Sequence, residues 1–490
     1  MMKETRMQRR SLLGTGLLAA PALLGLRRAH AGTGPELALH ALNRLAYGPR
    51  PGDLEAWSGR GWDELVEQQL QPETLALPSM LQARLEAWGE RQQSLSLAQR
   101  VQAYRDAERR SNAAEKDESQ RRELVQRELA QAAEARLARA LWSPRQLEER
   151  LVEFWANHFN VFFGKGICRV LMADYEARAI RPHVLGRFRS MLGATAKHPA
   201  MLFYLDNWQS SRERPAGDGG NRRQGLNENY ARELMELHTL GVGGGYTQRD
   251  VTELAKVLTG WTLNPRLNQD HERDDEGFFF APGRHEPGAK TWMGQSVPGR
   301  GQEQGEWALD QLARHPATAR RIAFKLAQHF VADAPPPALV DAVAAAFLQS
   351  DGDLRATTRA LLLHPAARAE PGSQFKTPYR YVLSLLRATA APVDDWQPVL
   401  QGLRGLGQPL FGCVTPDGWK CTRDAWLDPE ALARRSELAT RVAQRLQPPP
   451  QQLLATLGPA IAAGTRATIA AQPPRLQAAL LLASPDFNNC

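Results

Sequence analysis

The sequence predicts a mostly α-helical fold, a multi-helix globular domain with one small irregular or β-hairpin insertion near residues 276–296. Two observations predict it. Apolar residues recur at three- and four-residue spacing through most of the chain, the period of a helix that buries one face. Proline opens many of these segments and glycine closes several, which is the punctuation of helices rather than of strands. Only the stretch after Trp261, with Phe278–Phe280 and then Arg284–Gly294, departs from that pattern and is the candidate strand pair.

The chain begins with what reads as an export leader. Arg9 and Arg10 precede an apolar run to Leu26, Arg27 and Arg28 follow, and Ala29-His30-Ala31 is a small-x-small cleavage site. Paired arginines before a modest apolar run fit a twin-arginine signal and a periplasmic or secreted location. The run of about 15 residues is shorter than the ~20 that span a bilayer, so no transmembrane span is expected after cleavage. Removing residues 1–31 takes away six of 61 basic and one of 53 acidic residues, and the net charge falls from +8 to +3. A nucleic-acid partner, which the precursor's charge invites, is therefore discounted. Four cysteines are too few for a disulfide scaffold. Cys413 and Cys421 lie close together in a Pro/Gly-rich loop and are the one candidate disulfide.

The expected organisation is a leader (1–31), a helical body of one or two subdomains (32–447) and C-terminal helices packing back on it (448–490). Glu36–Tyr47 is an amphipathic helix stopped by Gly48-Pro49-Arg50-Pro51-Gly52. Short helices follow at Asp53–Ser58 and Trp62–Leu70. Pro78–Leu141 is rich in Glu, Arg and other helix formers. It reads as one or two long surface helices with a hairpin turn near Ser111–Glu118 and a solvated charged face. Ser143-Pro144-Arg145-Gln146 starts a helix on which Leu147, Leu151, Phe154 and His158 share a face, so His158 points inward. A polar loop over 209–225, expected to be mobile, has Asp206-Asn207 and Asn227-Glu228-Asn229 at its ends. Leu406–Asp428, with its aromatic content, is expected to pack rather than float.

The densest polar stretch is Asn227–Trp261. At 100° per residue, Leu234, Leu237 and His238 fall on an apolar stripe. Glu228, Arg232, Glu233 and Glu236 fall on the opposite face, with Arg232 placed for ion pairs four residues either side. Glu233 and Glu236 thus face away from His238, which excludes a self-contained metal-binding helix. Any metal must draw on several segments, with His158, His238 and His285 as candidate ligands; whether one is bound, a divalent ion being the natural choice, the sequence leaves open. Gly241 is placed for a left-handed helix end with Val242 folding back on Leu237, and Thr247 with Asp250 caps the next helix.

FWANHF, AMLFYLDN, NENYARELMELHTLG, YTQRDV, LTGW, HEPGAK, HPATARRIA, KTP, LGQPLFG and TPDGW, spread from Leu37 to Phe487, together resemble the bacterial domain-of-unknown-function family 1800. That resemblance implies export. It also implies, through a commonly neighbouring family, unknown-function family 1501, an exported partner similar to alkaline phosphatases and sulfatases. It implies no catalytic residues. Two functions follow. The first is an accessory, binding or maturation role beside such a partner. The alternative is a periplasmic hydrolase or metal-dependent enzyme. There His158, Glu233 and His285 would do the chemistry in a cleft with Asn157, Asn229, Arg232, Glu236 and Asp250, and Arg232 and Lys290 would hold an anionic substrate. No nucleophile elbow, Ser-x-x-Lys or metalloprotease helix is present.

Overall fold

Among the described residues helices dominate, and the strands are confined to two short antiparallel pairs. Trp261–Leu263 pairs with Phe278–Phe280, and Thr291–Trp292 with Gln295–Ser296. The structure, a computed structural model, describes residues 33–111, 115–212, 225–264, 277–369 and 374–490. The expected leader and most of the expected 209–225 loop lie outside the described residues. Among the described residues no helix is long and apolar enough to cross a membrane.

Two large hydrophobic clusters form the interior. The first gathers most of the helices between Pro35 and Arg368, among them Trp62–Gln69, Gln146–His158, Gln248–Leu258 and Pro316–Phe330. The second gathers Pro378–Ala388, Gln397–Gly405, Pro429–Leu446 and the C-terminal helices. Helix Glu115–Trp142 belongs to both. Ala132 lies in the first cluster, while Ala133, Leu137, Ala138 and Leu141 lie in the second. Its 28 residues run about 42 Å, enough to span the two.

The Pro78–Leu141 region contains three helices, Ser79–Gln93, Leu97–Ser111 and Glu115–Trp142, with a break at 94–96; residues 112–114 of the expected turn near Ser111–Glu118 lie outside the described residues. Its charged face is not simply solvated. Arg100 and Glu128 form a buried pair at 3.5 Å, and Arg136 is buried against the second cluster. The long helix has partners on several sides, so its inward face includes charge.

Three helices open on the same tripeptide. In His198-Pro199-Ala200, His315-Pro316-Ala317 and His364-Pro365-Ala366 the histidine Nδ1 accepts the alanine N–H at 3.1 Å. Proline fixes the first helical φ, and the neutral imidazole takes the place of the usual Ser or Asp cap.

Candidate functional site

The site is built where the C-terminal end of helix Gln146–His158 meets the 406–428 loop. Asn157 holds Trp419 from both sides: its Nδ2 donates to the Trp419 carbonyl and its Oδ1 accepts the Trp419 N–H, each at 2.8 Å. One turn on, Asn160 Nδ2 donates to the carbonyls of Cys413 and Thr415 at 3.1 and 2.8 Å. The contact is so close that only glycine fits at 418. There φ is +75°, and a Cβ would lie 2.3 Å from the Asn157 carbonyl oxygen. Phe411 takes a left-handed conformation (φ 57°), and its carbonyl accepts the Phe163 N–H at 3.0 Å. The loop is thus pinned as a cover, as its aromatic content predicts.

Beneath the cover lies a small cavity of about 70 Å³. Arg136, Glu153, Asn157, Glu176, Tyr379 and Trp419 are among its walls. Glu176 is presented by a π-helical turn, Tyr175–Ile180, which inserts a residue into the helix and alters its register. Arg181 forks onto both oxygens of Glu149 at 2.8 and 2.9 Å and reaches Glu176 Oε1 at 3.1 Å. Arg136 sits over the rings of Tyr379 and Phe411 at 5.3 and 5.5 Å and within 3.5 Å of Glu176 Oε2. Arg150 lies 3.5 Å from Glu153 Oε2. Its Nη2 also lies 3.3 Å from His329 Nε2, which must accept, so the ring is neutral. Burial, followed by Arg150 and Arg380, holds His329 well below its ordinary pKa.

Three polar atoms in these walls have no hydrogen-bond partner: Arg136 Nε, Glu153 Oε2 and Glu176 Oε2. Their residues are only 7, 8 and 7% exposed. The two carboxylate oxygens sit at ion-pair distance from guanidinium groups without making a hydrogen bond. A buried polar atom without a hydrogen bond costs about 1–3 kcal/mol, and the ion pairs offset part of that cost for the two carboxylates.

On the far side of Asn157 a second π-helical turn, Leu234–His238, continues the α-helix Asn229–Glu233. His158 Nε2 donates to the His238 carbonyl at 3.1 Å, and the two rings are 6.3 Å apart. His158 Nδ1 and His238 Nε2 are both buried without partners. Burial, with Lys325 and Arg321 nearby, drives His238 down to about 3 and His158 well below its ordinary value. Lys325 itself is brought down to about 8 by burial and then by Arg321. The Glu233 carboxyl is pushed up by burial, by Glu236 and by Asp417 of the cover loop.

The family described as Protein of unknown function (DUF1800) matches residues 40–489. The chain belongs to that family. Neither the curated proteins nor the solved structures compared yield a match.

In this DUF1800 chain the residues expected to form a site are divided among several places. Asn157 holds the cover loop, His158 beside it is buried against the His238 carbonyl, and Glu233 lies near the loop's Asp417. His285 is held elsewhere, with Nδ1 2.8 Å from the Thr259 carbonyl and Nε2 3.1 Å from Gln304 Oε1. Lys290 is buried and donates to Gln304 Oε1 at 2.9 Å and to the carbonyls of Glu286 and Gly288, so its ammonium is already committed. Asp250 completes the capping box with Thr247 and accepts the Met293 N–H at 2.8 Å. Arg232 pairs with Glu228 and donates to Gln248, half of the expected ladder, and Tyr246 lies 3.5 Å from Glu236. Asn229 Nδ2 donates to Leu205 O at 3.4 Å and Asn227 Nδ2 to Asp206 O at 3.1 Å, so the two ends of the polar loop do meet. Gly241 is left-handed as expected, but Val242 is 78% exposed and does not fold back on Leu237. Cys413 and Cys421 stand as free thiols, the first beside Thr415 and the second beside Gln328 Oε1.

Among the described residues no three His, Cys, Asp or Glu side chains are gathered for a metal ion. The residues that sequence reasoning missed are Arg136, Glu153 and Glu176. Nothing in their spacing marks them, because they come from three separate helical segments and one, Glu176, is placed by a π-helical turn. The signal within reach was the asparagine pair of FWANHFN, whose side chains clamp the loop.

Proposed function

We propose that this chain is an exported ligand-binding protein that acts in an accessory or maturation role, with a small polar ligand held in the cavity beneath the 406–428 loop. The observation that carries the reading is a small cavity walled by the buried charged side chains Arg136, Glu153 and Glu176 beneath a loop pinned by Asn157 and Asn160. Binding is favoured over catalysis by the chemistry of the walls. The charged groups are set against one another in pairs, which fixes donors and acceptors in place. Cys421, which also lines the cavity, has its thiol pushed up to about 11 by burial, so it is no ready nucleophile. Export rests on the paired arginines and cleavage site of residues 1–31. The phosphatase- or sulfatase-like partner rests on the family resemblance alone.

The test is chemical. Protein isolated from its own envelope fraction is denatured in acid and the released small molecules are identified by mass spectrometry. One small polar compound per chain is expected, and a chain that releases none sinks the reading. Arg9→Lys with Arg10→Lys should retain the precursor in the cytoplasm, which cell fractionation reads directly.

The competing reading, an exported hydrolase or metal-dependent enzyme, draws on Glu233. Its raised carboxyl beside Glu236 and Asp417 suits a general acid or base. Turnover in a hydrolase substrate screen, lost in a folded Glu233→Gln variant, would favour it over binding.

A further inference from the structure

We infer that an apolar groove in the second hydrophobic cluster binds the alkyl chain of a fatty acid, with Arg441 and Arg445 holding its carboxylate. The inference is independent of the cavity beneath the cover loop, and its failure leaves that reading as it stands.

The groove lies among the helices Pro378–Ala388, Gln397–Gly405 and Pro429–Leu446. Its volume of about 700 Å³ is in the range of sites for small molecules. Buried Val382, Leu385 and Leu386 form its floor, and partly buried Leu438, Val442 and Leu446 form one side. These last three recur every four residues, so they make a stripe that advances about 12 Å along the helix. From Gln397–Gly405 the groove takes Pro398, Gln401, Gly402 and Gly405, a face at three- and four-residue spacing with little side-chain volume. An added Cβ at Gly405 would meet no atom within 4 Å. The helices thus leave space beside an apolar wall, and a straight run of methylenes fills it without burying a polar group.

Charge sets the head group. Helix Pro429–Leu446 carries four arginines. Arg434 pairs with Glu430 and donates to the Gly405 carbonyl, and Arg435 donates to Asn488 and to the Lys376 carbonyl. Arg441 and Arg445 line the groove, and among the described residues neither makes a hydrogen bond or an ion pair. They stand one turn apart beside the apolar stripe, so both reach one head group. The helix dipole accounts for an arginine in the last turn, Arg445, but not for Arg441. Two carboxylates also border the groove. Asp394 is paired with Arg84 at 3.2 Å, and Asp395 Oδ1 accepts the Gln397 N–H at 2.9 Å. Two free arginines against the one carboxylate without a counter-ion, Asp395, leave a single positive charge, which suits a monoanion. An acidic amphipathic helix of another protein would meet the same charges. The ~12 Å stripe gives it about two turns of contact, well short of the ~800 Å² per partner that a stable interface buries.

The full-length chain should be titrated calorimetrically with decanoate, octanoate, decanol and decyl phosphate, each below its micelle concentration. Decanoate should bind about tenfold more tightly than octanoate, because each methylene contributes about three- to fourfold. It should bind about fivefold more tightly than decanol, the increment of exposed ion pairs. Arg441→Gln with Arg445→Gln should bring decanoate down to the affinity of decanol and leave decanol unchanged. Both side chains are exposed, so the fold is kept, and circular dichroism checks it. Decanoate no tighter than decanol, or unaffected by the double variant, overturns the carboxylate site. Decyl phosphate tighter than decanoate overturns the monoanion. No heat from any of the four probes overturns the fatty acid, and an acidic amphipathic peptide that binds where decanoate does not would make the groove a protein-docking surface instead.

Discussion

The buried histidines give this protein a direction of pH dependence. His158, His238 and His329 are held neutral by burial, with folded pKa values below the unfolded value of 6.5. As pH falls, the unfolded chain takes up protons first. The stability these groups allow is therefore fully present above about pH 6.5 and is lost as pH falls toward 3, where His238 titrates. Each contributes up to about 1.4 kcal/mol per pH unit. The His-Pro-Ala starts add to this, because a protonated Nδ1 can no longer accept the alanine N–H. Urea midpoints at pH 7.5 and pH 5 should differ clearly, and His238→Asn should reduce the difference. Glycine 418 gives a second prediction. Gly418→Ala must move the loop away from the Asn157 carbonyl as well as hold a left-handed alanine, at a cost of about 1–3 kcal/mol. Limited proteolysis within 408–421 should then run faster, with the remainder of the chain unaffected.

At the scale of elements, the cover loop is held by the side chains of Asn157 and Asn160 at the helix end beneath it. Asn157→Ala removes both hydrogen bonds to Trp419 and should free the loop by about 1–3 kcal/mol. Hydrogen exchange at the Trp419 amide should speed by one to two orders of magnitude, with little change at Leu147–Phe154. The helices, their approximate limits and the small strand pair around Phe278–Phe280 were legible in the sequence, because periodicity and proline position report burial and chain direction. The inward His158 was legible for the same reason. The site was much less so. An angular reading assumes 100° per residue, and the turns Tyr175–Ile180 and Leu234–His238 depart from that step. Arg136 was hidden differently: on a helix dense in Arg and Glu, only packing tells which charged residue faces inward.

At the scale of the whole molecule, buried arginines stitch distant parts of the chain together. Arg387, 1% exposed, donates to the carbonyls of Gly48 and Leu141 and to Asp53 Oδ2 at 2.8, 3.1 and 3.0 Å. Arg150 reaches Ala46 O at 3.1 Å, and Arg44 donates to the carbonyls of Phe330 and Val331. Arg387→Met would leave Asp53 and two carbonyls short of a donor where the N-terminal segment meets the second core. A loss of about 3–5 kcal/mol is expected, read as a shift in the denaturation midpoint. The same stitch sets a clock on biosynthesis. Gly48 and Arg387 are 339 positions apart. At ~5–20 residues per second, the ribosome delivers the second roughly 20–70 s after the first. Until then the apolar residues Leu37, Leu42 and Leu45 lack part of the framework that closes over them. The segment around Gly48 gains this tie only after the chain has been made through Arg387.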